Sequence, residues 1–154
     1  HNAAAQYSED AQDYLENMAR LKRKWETARR QLPPPVTELT QNARIGFIGF
    51  GSTDPAIAEA RDRLAALGVE SSYLRLRALP ASVAVRDFVA AHERVYVTEM
   101  NVDGQLHKII QLQMPALATR LQSLAHCDGL PLTASWIAAK VVEKEADQDG
   151  ALTQ

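Results

Sequence analysis

Gly46, Gly49 and Gly51, followed by Ser52, Thr53, Asp54 and Pro55, are the residues of this chain best suited to hold a ligand with backbone alone. Bare glycine backbone lets a diphosphate approach the amides that open a helix. The spacing argues against that use. The order is G-x-x-G-x-G rather than G-x-G-x-x-G, and the following strand ends in Arg75 and Arg77 where a ribose-binding acid belongs. Close strand-to-helix packing and a tight turn account for the same glycines. Ser52 after a strand and a glycine has part of a nucleophile elbow, but position 54 is Asp where the elbow needs glycine.

The four histidines, His1, His92, His107 and His126, are scattered, without a second ligand at metal spacing on a shared helix face. The single cysteine, Cys127, excludes an internal disulfide and a cysteine-based metal cluster within this chain. Its neighbour His126 is adjacent only in sequence, and a small buried apolar role suits Cys127 better than a dyad. The polar run Glu99, Asn101, Asp103, Gly104 and Gln105 is more promising. It closes a strand and would lie beside the Gly51 turn if the two strands are neighbours and parallel. Asn101 and Asp103 equally suit a turn and the cap of the next helix. Gly51, Ser52, Thr53, Glu99, Asn101 and Gln105 are therefore expected to form a contact surface for another domain or subunit. No catalytic, cofactor-binding or metal-ligating residue is assigned.

These residues need elements to position them. Residues 45–50 are apolar at both positions of a two-residue period, as in a parallel strand covered by helices on both sides. Pro55 and the capping residues before it open a helix to Leu67, with Ile57, Ala60, Leu64 and Leu67 on one face and Gly68 ending it. A strand over 69–77 follows, whose later half alternates and so has one side half covered. Ser82 caps a helix over 83–91, and 94–99 form a third strand. A helix led by Leu106, Ile109 and Ile110 ends at Met114-Pro115. A helical turn over 115–119, a short strand over 121–125 and the Asp128-Gly129 turn come next. Thr133 caps a last helix with Trp136, Ile137, Val141 and Val142 inward. Alternating strands and helices give a mainly parallel α/β sheet of four or five strands, covered by helices on both faces.

One long amphipathic helix precedes this domain. Over residues 8–31, Tyr14, Leu15, Met18, Leu21, Trp25 and Ala28 recur at three- and four-residue steps. Acids fill its first half and bases its second, the order favoured by the helix dipole. Leu32-Pro33-Pro34-Pro35 stops it. A lone helix cannot bury its own stripe, so Leu15, Met18, Leu21 and Trp25 mark it as a docking helix. The expected organisation is a docking helix and proline linker over 1–35, the α/β domain over 36–146 and a flexible tail over 147–154.

A hydrophobic content of 46% is ordinary for a folded core, and the formal charge of −2 provides no field to draw nucleic acid or a membrane surface. Without an apolar run of about 18 residues, the chain reads as soluble and cytoplasmic. It opens on His1 rather than Met, as expected of a piece of something longer.

The order of motifs resembles a known family. It is similar to the C-terminal region of the alpha subunit of 2-oxoacid:ferredoxin (acceptor) oxidoreductases, which includes a transketolase C-terminal-like domain. The likeness covers nearly the whole chain. It rests on the basic helix ending in Leu32-Pro33-Pro34-Pro35, on residues 45–53, and on Leu74-Arg75-Leu76-Arg77-Ala78-Leu79-Pro80. Val95-Tyr96-Val97-Thr98-Glu99-Met100-Asn101 with Gly104-Gln105-Leu106, and Asp128-Gly129-Leu130-Pro131-Leu132-Thr133, complete it. The resemblance implies a holoenzyme that uses thiamine diphosphate and magnesium to decarboxylate a 2-oxoacid oxidatively to an acyl-CoA, passing electrons through an iron-sulfur cluster to ferredoxin. It implies a non-catalytic structural and assembly role for this domain, with no cofactor of its own. Its implied partners are the remaining alpha-subunit domains and a thiamine-binding beta subunit. Which 2-oxoacid is used belongs to domains outside this chain. The competing expectation is an independent flavodoxin-like or nucleotide-binding module.

Overall fold

The structure, a computed structural model, describes residues 1–151, with the side chains of 149–151 left out of the description. The chain divides into two compact units, His1–Pro33 and Pro34–Gln154.

The first unit is built on helix α1, Ala11–Gln31, whose Asp10 cap accepts from the Gln12 amide at 2.7 Å. Asn17 Nδ2 donates to the His1 carbonyl at 2.7 Å, which folds the first residues back on one flank of the helix. No residue of α1 is buried.

The second unit is a five-stranded sheet with strands β1 (Val36–Glu38), β2 (Ile45–Gly49), β3 (Ser71–Arg75), β4 (Arg94–Glu99) and β5 (Leu121–Ala125), in the spatial order β1-β3-β2-β4-β5. Pairing is parallel throughout except at β1, which runs antiparallel to β3 with Thr37 opposite Leu74. Helices α2 (Asp54–Ala65), α3 (Val83–Ala91), α4 (Gln105–Gln113) and α5 (Ala134–Ala151) cover the sheet. Two separate apolar cores result. Ile45, Phe47, Tyr73 and Tyr96 pack under α2 and α5, through Ile57, Leu64, Ile137 and Val141. Ile48, Leu74, Val95 and Val97 pack under α3 and α4, through Val85, Phe88, Val89, Leu106 and Ile110. Burying each such side chain contributes about 1.5–3 kcal/mol. This two-sided burial is what the unbroken apolar run over β2 encodes.

The glycines of β2 let the helices approach. A Cβ on Gly46 would stand 2.8 Å from the Phe88 ring, and one on Gly49 would stand 2.2 Å from Ile57 Cδ1. These two are packing glycines, as their spacing implies. Gly68, with φ +81°, ends the turn after α2, and Thr133 Oγ1 accepts from the Trp136 amide at 3.2 Å to cap α5.

Several expectations are corrected. Leu67 lies beyond the end of α2 and is exposed, and Val142 falls on the outer side of α5. β3 is buried on both sides through Leu74 and opens to solvent only at Arg75, where it leaves the helices. The edge strand β1 follows the prolines unannounced. α5 continues through residues 147–151, where a flexible tail was expected; 152–154 lie outside the described residues.

Candidate functional site

From β2 the chain steps outward to β3, then returns across β2 to β4 on the other side. At such a reversal the loops leaving neighbouring parallel strands diverge to opposite faces and leave a crevice beyond the carboxyl ends. That crevice is present here. A cleft of about 390 Å³ lies among Phe50 and Gly51 after β2, Leu76, Arg77 and Leu79 after β3, and Glu99, Asn101, Gln105, Leu106 and Ile109 around the start of α4. Its walls are mainly apolar.

Glu99 ends β4 fully buried. Gly104, with φ +61°, turns the chain so that α4 starts directly beneath it, and a Cβ there would meet Ser123 Oγ at 2.8 Å. The Glu99 carboxylate accepts from the Leu106 amide at 2.8 Å, the His107 amide at 3.0 Å and the Asn101 side-chain amide. Asn101 Oδ1 in turn accepts from the Gln105 amide at 3.1 Å. Two orphan amides of a helix end and a local amide group thus satisfy the buried side chain. Committed in this way, Glu99 is an anchor for the β4–α4 turn rather than a proton acceptor facing a substrate.

On the β2 side, Gly51 carries φ +59° with open space where a Cβ would be. Thr53 is buried, and its hydroxyl donates to the Phe50 carbonyl at 2.7 Å and accepts from the Phe50 amide at 3.2 Å. It closes the turn and presents nothing outward, whereas Ser52 is exposed. Asp54 accepts from the Tyr73 hydroxyl at 2.8 Å and pairs with Arg75 at 3.3 Å. Burial, then the Asp54 carboxylate, push the Tyr73 phenol well above its ordinary range.

The structure therefore brings Gly51, Glu99, Asn101 and Gln105 to one cleft and turns Thr53 inward. The sequence pattern gave no sign of the cleft's apolar contributors Phe50, Leu79 and Ile109, since each is a single residue on a different element.

The remaining candidates separate. His126 stacks on Trp136 with ring centroids 4.6 Å apart, and its Nε2 lies 3.1 Å from Asp128. The Leu130 amide and His126 hold the Asp128 carboxyl below the usual carboxylate range. Cys127 is exposed, correcting the buried role expected of it: the residue sits in the loop after β5, beyond the cover of the helices. His92 is buried with Nδ1 2.7 Å from the Phe88 carbonyl, and His107 Nε2 lies 3.2 Å from the Leu121 carbonyl. Among the described residues, no three His, Cys, Asp or Glu side chains could jointly hold a metal ion. An iron-sulfur cluster needs about four thiolates, against one cysteine here. The magnesium of a thiamine diphosphate needs several oxygen ligands, and among the described residues no cluster of acidic side chains supplies them. The residues present fit neither group.

No protein-family model matches the chain, and no curated protein does. Solved structures do. The fold superposes with a TM-score of 0.76 and 25% sequence identity on a 2-oxoglutarate:ferredoxin oxidoreductase from Magnetococcus marinus, solved with 2-oxoglutarate, coenzyme A and succinyl-CoA bound. The match covers 93% of this chain and 25% of the neighbour, so the chain spans about a quarter of that oxidoreductase's length. The alpha chain of a probable 2-oxoacid ferredoxin oxidoreductase from Thermoplasma acidophilum matches over 71% of this chain and 95% of its own, at 20% identity and a TM-score of 0.45. The likeness to the Magnetococcus oxidoreductase takes in the mainly parallel sheet flanked by helices. No helix among the described residues is long and apolar enough to cross a membrane.

Proposed function

We propose that this chain is the transketolase C-terminal-like assembly domain of a 2-oxoacid:ferredoxin oxidoreductase alpha subunit. The observation that carries the proposal is the likeness to the Magnetococcus marinus oxidoreductase over 93% of the chain at a TM-score of 0.76. In this reading the holoenzyme uses thiamine diphosphate, magnesium and an iron-sulfur cluster held by other domains or subunits to convert a 2-oxoacid to an acyl-CoA, with ferredoxin as acceptor. This domain contributes no reacting group. Glu99, the one buried carboxylate at the cleft, is already committed to two backbone amides and Asn101. Gly51, Ser52, Asn101 and Gln105 then face the remaining alpha-subunit domains or a thiamine-binding beta subunit, and α1 presents its apolar stripe for association.

Co-expression with a tagged thiamine-binding beta subunit and the remaining alpha-subunit domains from the same genome tests this reading. Stoichiometric recovery of the chain is expected, and its absence from the purified complex would overturn the assignment.

The cleft at the strand reversal favours one competing reading, an independent flavodoxin-like or nucleotide-binding module. Calorimetric titration of the chain with NAD, FMN, ATP and thiamine diphosphate distinguishes the two. No saturable heat is expected from any of them, and tight binding of one would make this a ligand-binding domain.

A further inference from the structure

The cleft at the strand reversal holds two polar side chains that the fold leaves unused. Arg77, two residues past β3, lines one side of it, is exposed, and has no acid within ion-pair distance among the described residues. Its neighbour Arg75 is already matched by Asp54 at 3.3 Å. Gln105 lines the opposite side, and only its backbone amide is engaged, by Asn101 at 3.1 Å. Because β2 stands between β3 and β4, the two sides are separated by two strand spacings, about 10 Å. Phe50, Leu76, Leu79 and Ile109 line the space around them. Phe50 and Leu79 are each 42% exposed and Ile109 37%, so apolar surface is left open around a concave site.

The groups present select the ligand. A polyphosphate needs several backbone amides or cations. Here the Leu106 and His107 amides at the start of α4 are taken by Glu99, and a single guanidinium remains. That suits one negative charge. The charge belongs on the Arg77 side, since the Glu99 oxygens at the other side offer an anion no donor. We propose that the cleft binds a small organic acid, its one carboxylate on Arg77 and its apolar body laid across Phe50, Leu79 and Ile109 towards the Gln105 amide.

An exposed ion pair adds little net affinity. The apolar body therefore supplies most of the binding, and Arg77 supplies the choice of sign. Covering the few methylenes such a body carries corresponds to a dissociation constant of about 1 mM or tighter.

Two-dimensional NMR of the nitrogen-labelled chain, titrated with 4-methylpentanoate, tests the site. Saturable shifts are expected at the Gln105 side-chain amide, the Arg77 Nε and the Gly51 amide. Acetate, which lacks the apolar body, is expected to bind about a hundredfold more weakly. 4-Methylpentanamide, which lacks the charge, is expected to bind about three- to fivefold more weakly. Arg77→Gln should bring the acid down to the level of the amide, and Arg77→Lys should keep the preference. Ile109→Trp fills the cleft from its rim and should abolish saturation by both. Both positions are exposed, so the variants keep the fold, checked by the dispersion of the same spectra. No saturable shift at these groups up to about 50 mM acid would overturn the proposal. So would an amide that binds as tightly as the acid, or acetate that binds as tightly as either. Loss of the Arg77→Gln chain from the co-expressed complex, with no acid binding by the wild type, would make the cleft a partner contact and overturn the proposal as well. Each of these results leaves the assembly reading standing, because that reading rests on recovery of the wild-type chain.

Discussion

The Glu99 carboxylate and the Leu106 amide meet at 2.8 Å inside the sheet's carboxyl edge, joining the last residue of β4 to the first turn of α4. A second amide, from His107 at 3.0 Å, completes the grip. Glu99→Gln keeps the shape but replaces one acceptor oxygen with a donor group that faces backbone amides. A loss of about 1–3 kcal/mol in unfolding free energy is expected, and Glu99→Ala is expected to lose at least as much. Urea titration measures both. If either variant matches the wild-type midpoint, the carboxylate is not what holds this turn.

Gly49 is expected to tolerate alanine only if Ile57 gives way. The added Cβ would lie 2.2 Å from Ile57 Cδ1, an atom in the fully buried core between β2 and α2. Gly49→Ala alone should cost about 1–3 kcal/mol through overpacking. Ile57→Val removes the clashing methyl, so the double variant should be more stable than the sum of the two single changes implies. Strict additivity of the unfolding energies would show that the close approach is not the reason for the glycine.

The same glycine shows which parts of the fold were legible in the sequence. Its wrong spacing for a diphosphate, set in an apolar run, identified a packing glycine in a strand covered on both sides. The turn at Gly68 and the helix start at Thr133 were equally readable, because such signals act within a few residues. β1 was not: the pairing of Val36, Thr37 and Glu38 with β3 is set by partners more than thirty positions away. Leu67 and Val142 continued an apolar period past the point where the helix or its buried face ended. At the site, the sequence brought Glu99, Asn101 and Gln105 to the Gly51 edge. It could not show that the Glu99 and Thr53 side chains turn inward to satisfy backbone groups, since that depends on how each loop closes.

A largely covered ion pair ties α5 to the sheet. Arg94 and Glu145 pair with most of both side chains covered, and the Tyr96 hydroxyl donates to the same carboxylate. Glu145→Ala leaves the largely covered Arg94 guanidinium without its main partner, with an expected cost of about 1.5–3 kcal/mol. Replacing both charges together, as Arg94→Met with Glu145→Leu, should recover most of that loss. Thermal unfolding of the three variants gives the comparison. A double variant as unstable as Glu145→Ala would mean that the pair itself, rather than the stranded charge, carries the stability.

Tyr73 and Tyr96 should make the fold sensitive to alkali. Burial is the larger cause in each, followed by a hydrogen bond to Asp54 or Glu145, and both phenols are held above their ordinary value of 10.0. A phenol whose folded pKa is raised binds its proton in the native state at pH values where the unfolded chain has released it. Its contribution is therefore fully present below about pH 10 and declines as pH rises above that value. Tyr73 and Tyr96 should remain un-ionised in the folded chain past the normal phenol range, and their ultraviolet phenolate signal should appear together with unfolding. Tyr73→Phe and Tyr96→Phe should each flatten the fall in stability above pH 10, although each also loses a hydrogen bond and about 1 kcal/mol at neutral pH. Ionisation of Tyr73 and Tyr96 near pH 10 while the chain stays folded would show that neither hydroxyl is sealed by its carboxylate partner.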